Sequence, residues 1–461
     1  MKYISTRNSQ KKFSFEEIFF KGLADDGGLF IPERFYILNE KEILNLKDMS
    51  FQEISHFIFL KYSKNTFESN ELHEIINKAY KNFRCKNIIK VNKHNNINLV
   101  QLFHGPTLAF KDVAMQVLGE MYKNLLSKSK KKITIITATS GDTGAAAINA
   151  FKDNENINIF VLHPNNKISD VQRKLMTTTK SKNIFNIAIK GNFDDCQKLV
   201  KEMFVDISFT KKINMSGVNS INWGRIVAQT TYYFYVYSKF VKNKNELIFS
   251  VPTGNFGDIY AGYVAKKMGL PIHKLIVATN QNNILERCLN TGEYKPEKVN
   301  VSLSPSMDIQ VSSNFERVLY DYYKKDEKKI NKLMKDLKDK GQFKIEDNIL
   351  KNIRKDFDAT SCSDDETCQI IKDFYNSNKI VIDPHTATAL KISDNQNYKN
   401  KELFILETAH HCKFPNAIKK ALDINTKLPD FINFADIEEN FDILNNDIKV
   451  VKNYILSNIS N

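Results

Sequence analysis

From about residue 97 onward, short apolar runs alternate with longer amphipathic stretches. The runs at 133–137, 157–162, 185–189, 247–251, 275–278 and 403–406 are each rich in β-branched or aromatic side chains and bounded by turn residues. A strand apolar at nearly every position is buried on both faces. Strands of that kind separated by helical stretches predict open, mostly parallel α/β sheets flanked by helices. Ligands in such sheets bind beyond the carboxyl ends of the strands. Residues 14–90 predict helices instead. Ile18, Phe19 and Leu23 form a short apolar stripe, Asp25-Asp26-Gly27-Gly28 breaks it, and Leu29-Phe30-Ile31-Pro32 runs into a turn. The lysine-rich stretch 314–378 predicts an all-helical insert with Leu333, Leu337, Ile349, Leu350 and Ile353 facing inward. The expected organisation is an N-terminal, mostly helical domain (1–95), a large α/β domain (96–130 and 225–461, carrying the insert) and a small α/β domain (131–224).

Composition narrows the class. The 461 residues allow about three domains. With 42% hydrophobic and 26% charged residues, wholesale disorder, collagen and coiled coil are excluded. The longest uncharged stretch, 94–110, contains His, Asn, Gln and Pro, so no transmembrane helix or membrane partner is expected. The net charge is +14, compatible with nucleic acid, a membrane surface or an anionic small substrate. The cations are dispersed, and clusters such as 128–132 and 324–335 read as solvated faces, so no nucleic-acid partner is expected. Six cysteines without a Cys-x-x-Cys pair read as reduced thiols, and the first residues lack the apolar core of a secretory signal. The expected location is cytoplasmic.

Three segments carry candidate chemistry. In Phe103-His104-Gly105-Pro106-Thr107-Leu108-Ala109-Phe110-Lys111-Asp112, a turn leads into a helix with Val113, Val117, Leu118, Met121 and Leu125 on one face. Lys111 sits near the helix start, where the dipole disfavours a cation, among apolar neighbours. It is either an amine nucleophile with a lowered pKa or a snorkelling surface lysine. The loop Thr139-Ser140-Gly141-Asp142-Thr143-Gly144 follows the run 133–137 and opens a small-residue helix. It is either an anion cradle or an ordinary capped turn. Thr253-Gly254-Asn255-Phe256-Gly257-Asp258 links the run 247–251 to a helix. It is neither a P-loop nor a dinucleotide fingerprint, and reads as a cup for a single phosphate or as a plain glycine-rich turn. Lys167 and Ser169, after the run 157–162, and Asn222 and Arg225, opening a long helix, add anion ligands, unless Arg225 merely salt-bridges on the surface. The His410-His411-Cys412 run has no second Cys/His pair at ligand spacing, so no metal is expected.

Together these segments resemble the fold-type II pyridoxal-phosphate enzymes, and within them the threonine synthase family in its longer microbial and fungal form. The resemblance spans nearly the whole chain: residues 22–32 (GLADDGGLFIP), 103–112 (FHGPTLAFKD), 138–146 (ATSGDTGAA), 219–229, 251–257 and 408–414. Near the end the family usually reads Thr-Ala-His-Pro-Ala-Lys-Phe. Here His411 and Cys412 stand in place of Pro and Ala, while Thr408 and Lys413 keep their places.

The resemblance implies pyridoxal 5'-phosphate as cofactor. It implies Lys111 as the lysine bonded to the cofactor, Gly254, Asn255, Phe256 and Gly257 as the phosphate cup, and Thr408 as hydroxyl partner of the pyridine nitrogen. Ser140, Asp142 and Thr143 match the loop that grips the substrate carboxylate and flanks the ring, with Asp142 where many relatives carry Asn. The implied reaction is O-phospho-L-homoserine plus water to L-threonine plus phosphate, by γ-elimination and β-addition of water, in a monomer or homodimer. A phospho-lyase of the same family, releasing 2-oxobutanoate, uses the same residues.

Overall fold

The structure is a computed structural model and describes residues 1–129, 131–241, 247–399, 401–434 and 437–459. Residue 130, inside the basic cluster 128–132 and at a predicted domain boundary, lies outside them. Two sheets dominate. The larger has six strands in the order Phe357–Cys362, Ile272–Asn280, Leu247–Pro252, Leu403–Glu407, Ile97–Gln101, Lys90–His94. Every pair in it is parallel except the last, an antiparallel hairpin. The smaller runs Asp442–Asn445, Ile184–Lys190, Ile157–Pro164, Ile133–Ala138, Met215–Ser216, all parallel. The central strands are buried along almost their whole length, as their continuous apolar runs require. Among the described residues no helix is long and apolar enough to cross a membrane.

The N-terminal helices start where side chains cap them. Ser14 with Glu17 and Ser50 with Glu53 form capping boxes for Phe15–Lys21 and Phe51–Tyr62. A two-stranded ribbon, Tyr3–Ser5 against Phe30–Pro32, ties the chain start to this layer. The helix Trp223–Phe240 is buried from 223 to 237, because Phe51–Tyr62, Lys111–Ser129 and Gly257–Lys267 pack around it. A helix apolar on all sides belongs inside.

Two predictions of the pattern are corrected. The insert 314–378 is not all helical: it contains the strand Phe357–Cys362, which extends the large sheet beside Ile272–Asn280. As an edge strand it alternates between more and less buried positions, so no continuous apolar run marks it. Leu333, Leu350 and Ile353 are buried as expected. The chain end does not stay with the large domain. Asp442–Asn445 pairs with Ile184–Lys190, and Val451 and Ile455 of helix Ile448–Ile459 enter the small-sheet core. Ile443 on that strand is half exposed, again leaving no apolar signature.

Candidate active site

Strand ends of the two sheets converge on one cavity of about 1450 Å³. Lys111, Ser140, Asp142, Thr143, Arg225, Gly254, Asn255, Phe256, Gly257 and Thr408 all line it. The loop after Ile97–Gln101 is laced to the loop after Leu403–Glu407 through Leu102 N to Glu407 O (3.0 Å), Phe110 N to Thr408 O (2.8 Å) and His410 N to Leu108 O (3.1 Å). Leu108 takes a left-handed backbone (φ 60°) to make this turn. The helix Lys111–Ser129 begins at Lys111 itself. Asp112 steadies the turn by accepting from the amide and the hydroxyl of Thr107, each at 2.7 Å.

Lys111 is buried, with Nζ 3.4 Å from Asp142 Oδ2 and 5.3 Å from the centre of the Phe110 ring. It is not a snorkelling surface lysine. Burial pushes its pKa down; Asp142 opposes this, and the nearby Lys413 and Arg225 reinforce it. An amine that gives up its proton more readily is a usable base and nucleophile.

Asp142 opens the helix Asp142–Phe151. Thr139 Oγ1 accepts from the amides of Gly141 and Gly144, both at 2.9 Å, and fixes the loop. Gly141 has φ 129°, a conformation a side chain rarely adopts. The Asp142 carboxylate takes Lys413 Nζ at 2.5 Å, Gln172 Nε2 at 3.0 Å and Ser306 Oγ at 3.4 Å besides Lys111. Burial pushes its pKa up, but Lys413 and Lys111 outweigh burial and hold it far below the usual carboxylate range. It stays ionised.

The third loop is an amide cup. Gly254 O accepts from Ser312 Oγ (2.6 Å), and Asn255 O from Asn314 N (3.1 Å) and Asn314 Nδ2 (2.9 Å). In a trans peptide the N–H points opposite its carbonyl. Both carbonyls are thus tied from behind, which turns the amides of Asn255 and Phe256 the other way, ahead of the free amides that open the helix Gly257–Lys267. Phe256 caps that helix with φ 61° while its ring is anchored beside Phe315 and Phe357. A Cβ on Gly254 would lie 2.9 Å from Ser306 O, so that loop can pass only over a glycine.

Arg225 is buried, its Nε has no hydrogen-bond partner, and among the described residues its guanidinium makes one long 3.4 Å contact, to Val218 O. It forms no ion pair among the described residues, which rules out a surface salt bridge. Burial brings its pKa down to about 10, opposed by Tyr232 and Asp258. Asp258, hydrogen-bonded by Tyr232 and Tyr233, is raised by burial to about 6. An unpaired buried guanidinium facing a cavity is a strong sign of an anionic ligand.

Three predicted site residues do not join the cavity lining. Lys167 is exposed beyond the strand end, because the left-handed turn at Asn166 carries it outward. Ser169 caps helix Asp170–Thr177 and donates to Lys413 O at 2.9 Å. Asn222 caps Trp223–Phe240, accepting from Gly224 N and donating to Phe19 O and Gly217 O. A short polar residue before a helix is as well suited to capping as to ligand binding, and here capping won. Sequence reasoning missed Ser306 and His385, and gave no role to Asp258 and Lys413, although both lie in segments it named. His385 lines the cavity with Nδ1 2.8 Å from Asp383 Oδ1. Lys413 lies in the 408–414 segment, but its complete burial has no sequence signal.

Comparison with known proteins gives a consistent picture. Residues 2–80 match the family described as threonine synthase N terminus, 83–404 pyridoxal-phosphate dependent enzyme, and 386–455 threonine synthase, C-terminal. The chain is 42% identical to the threonine synthase of Pseudomonas aeruginosa over 91% of its own length and 90% of the relative's. Among solved structures, pyridoxal-phosphate-bound threonine synthase from Brucella melitensis superposes with a TM-score of 0.93 at 40% identity, covering 99% of each chain. The yeast threonine synthase structure gives 0.92 at 36% identity, covering 100% of this chain and 99% of that one.

Proposed function

The chain belongs to the threonine synthase family of pyridoxal-phosphate-dependent enzymes, and from that premise we propose that it converts O-phospho-L-homoserine and water to L-threonine and phosphate, with Lys111 as proton carrier. The observation that carries the reading is the meeting of Lys111, the amide cup and the unpaired Arg225 in one cavity.

The residues fit the cofactor. Lys111 offers a buried amine of lowered pKa for the covalent link. The Gly254–Gly257 amides suit a phosphate at a helix start. Thr408 and Asp142 line the same cavity, where Thr408 would offer a neutral hydroxyl to the pyridine nitrogen and Asp142 an acceptor. When bound, the cofactor supplies an electron sink for negative charge developed on the substrate. The chain does the rest. Freed by the substrate amine, Lys111 takes a proton from Cα, hands it on, and is then free to take one from Cβ. Arg225 holds the phosphate as it leaves Cγ, where negative charge develops. Ser140 and Thr143 hold the substrate carboxylate. Lys111 returns a proton to Cγ, which becomes the methyl group; water then adds its hydroxyl at Cβ, its other proton going to the released phosphate, and Lys111 returns a proton to Cα. The dispersed basic charge and six free thiols support a cytoplasmic protein without a nucleic-acid partner, and the family resemblance a monomer or homodimer.

The test is to supply the purified, cofactor-loaded protein with phosphohomoserine and measure threonine and phosphate together. Equal amounts are expected; phosphate accompanied by 2-oxobutanoate in place of threonine would overturn the reading.

A further inference from the structure

Among the described residues only two lysines are buried, Lys111 and Lys413, and both address the same carboxylate. Lys413 Nζ lies 2.5 Å from Asp142 Oδ1, whereas Lys111 Nζ lies 3.4 Å from Asp142 Oδ2. Lys413 is fixed on every side. Its Nζ also donates to Thr107 O at 2.9 Å, on the loop that carries Lys111. Its carbonyl accepts from Ser169 Oγ at 2.9 Å, at the start of a small-domain helix. It therefore ties the small-sheet loop holding Asp142 to the large-sheet loop holding Lys111.

We infer that Lys413 is a positioning residue for Lys111: it orients the Asp142 carboxylate and neutralises it, so that Lys111 keeps a hydrogen-bond partner without being held as a cation. This rests on the reading of Lys111 as proton carrier. The logic is a competition. A lysine alone with a buried carboxylate forms a buried ion pair in which the amine keeps its proton. Two buried cations around one carboxylate cannot both be fully compensated, and the nearer one takes the charge. The more distant one, Lys111, is left able to release its proton. The other charged groups facing Lys111 are Arg225 from helix Trp223–Phe240 and Asp258 from helix Gly257–Lys267; Arg84 and Asp112 stand on the Lys413 side. None of them bridges both lysines, as Asp142 does.

The experiment compares the cofactor-loaded parent with Lys413→Met and with the double variant Lys413→Met/Asp142→Asn. In each, the visible absorbance of the Lys111-linked cofactor is titrated with pH, and kcat and KM are measured. In Lys413→Met the full charge of Asp142 turns on the Lys111 nitrogen. The titration midpoint should rise by about one unit or more, and kcat should fall about tenfold or more, with KM changed far less. Removing both charges should bring the midpoint back close to the parent's. A merely structural lysine predicts lost stability or cofactor affinity at an unmoved midpoint, and that result overturns the inference. Lys413→Met leaves a buried carboxylate short of a partner and could fail to fold. The double variant leaves no such charge, and its midpoint then decides: parent-like supports the inference, while a shifted midpoint or a failure of both variants to fold overturns it. Failure of the underlying reading shows up separately, as a Lys111→Ala protein that keeps both the band and turnover.

Discussion

The amide of Phe110 donates to the carbonyl of Thr408 at 2.8 Å, so the residue before Lys111 is hydrogen-bonded to the residue that offers a hydroxyl to the cavity. The two segments leave neighbouring parallel strands, Ile97–Gln101 and Leu403–Glu407, and run on as a short irregular pair bridged at Ala109 and Ala409. The amine and the hydroxyl are thereby held in fixed relation by backbone alone. A site on rigid strand ends keeps its geometry without help from a ligand.

Lys111→Ala tests the centre of the site. The substitution removes the covalent link and the proton carrier together. Turnover should fall on the order of 10³-fold or more, and the visible band of the linked cofactor should vanish. Near-normal turnover would remove Lys111 from the mechanism. The fold should survive, since a lysine whose positive charge is penalised by burial is not a large source of stability.

The parallel core was legible because its strands are buried on both faces and so carry unbroken apolar runs. Ile97–Gln101, absent from the predicted runs, lies inside the large sheet, but most of the strands that escaped notice sit at sheet edges. Phe357–Cys362 and Asp442–Asn445 show alternating or mostly exposed positions, and Lys90–His94 is polar along most of its length. The loops at strand ends were legible through glycine and hydroxyl content. What could not be read was the division of labour among polar residues near them. Asn222 and Ser169 have the same composition signal as Ser140, yet their side chains are consumed by helix caps. The burial of Lys413 was illegible for the opposite reason, because only the meeting of two sheets produces it.

The cup gives a second prediction. A methyl group on Gly254 would meet Ser306 O at 2.9 Å and Ile309 at 3.0 Å. Gly254→Ala must push the cup away from the 305–309 segment and tilt its amides. Cofactor affinity, read by equilibrium dialysis or absorbance titration, should fall about tenfold or more, a displaced charge-assisted contact being worth roughly 1.5–3 kcal/mol. The apo protein should keep its far-ultraviolet spectrum. Unchanged affinity would mean that the phosphate binds elsewhere.

Stability should depend on pH through Glu407. Burial, with Asp383 adding to it, raises this carboxyl from 4.5 to about 8, and its Oε2 has no hydrogen-bond partner. In the folded protein it binds a proton more tightly than in the unfolded chain. Its contribution is therefore complete below about pH 4.5 and is lost as pH rises toward and through about 8. Melting temperature should fall over that window in the parent, and fall less in Glu407→Gln, which cannot ionise. Parallel melting curves for the two proteins from pH 5 to 9 would show that Glu407 does not carry the effect.

Arg225 offers the sharpest test of substrate choice, because stability and turnover should move in opposite directions. The guanidinium is buried at the cavity wall, carries no ion pair among the described residues, and has an unpartnered Nε. A buried charge compensated only at a distance, here by Asp258, costs stability, and natural proteins tolerate it where a ligand completes it. Arg225→Met keeps most of the side-chain volume and removes the charge. The apo protein should melt no lower than the parent, and the cofactor band should remain. The ratio kcat/KM for phosphohomoserine should drop by an amount equivalent to about 2–4 kcal/mol, the loss expected when a donor at a developing anion is removed. Homoserine lacking the phosphate should bind both proteins poorly and nearly equally. Lys167→Ala is the matched control: its side chain is exposed outside the cavity, so kinetics should not change. If instead Arg225→Met keeps kcat/KM and Lys167→Ala loses it, the phosphate is held at the strand end beyond Pro164, and Arg225 is left as a structural cation.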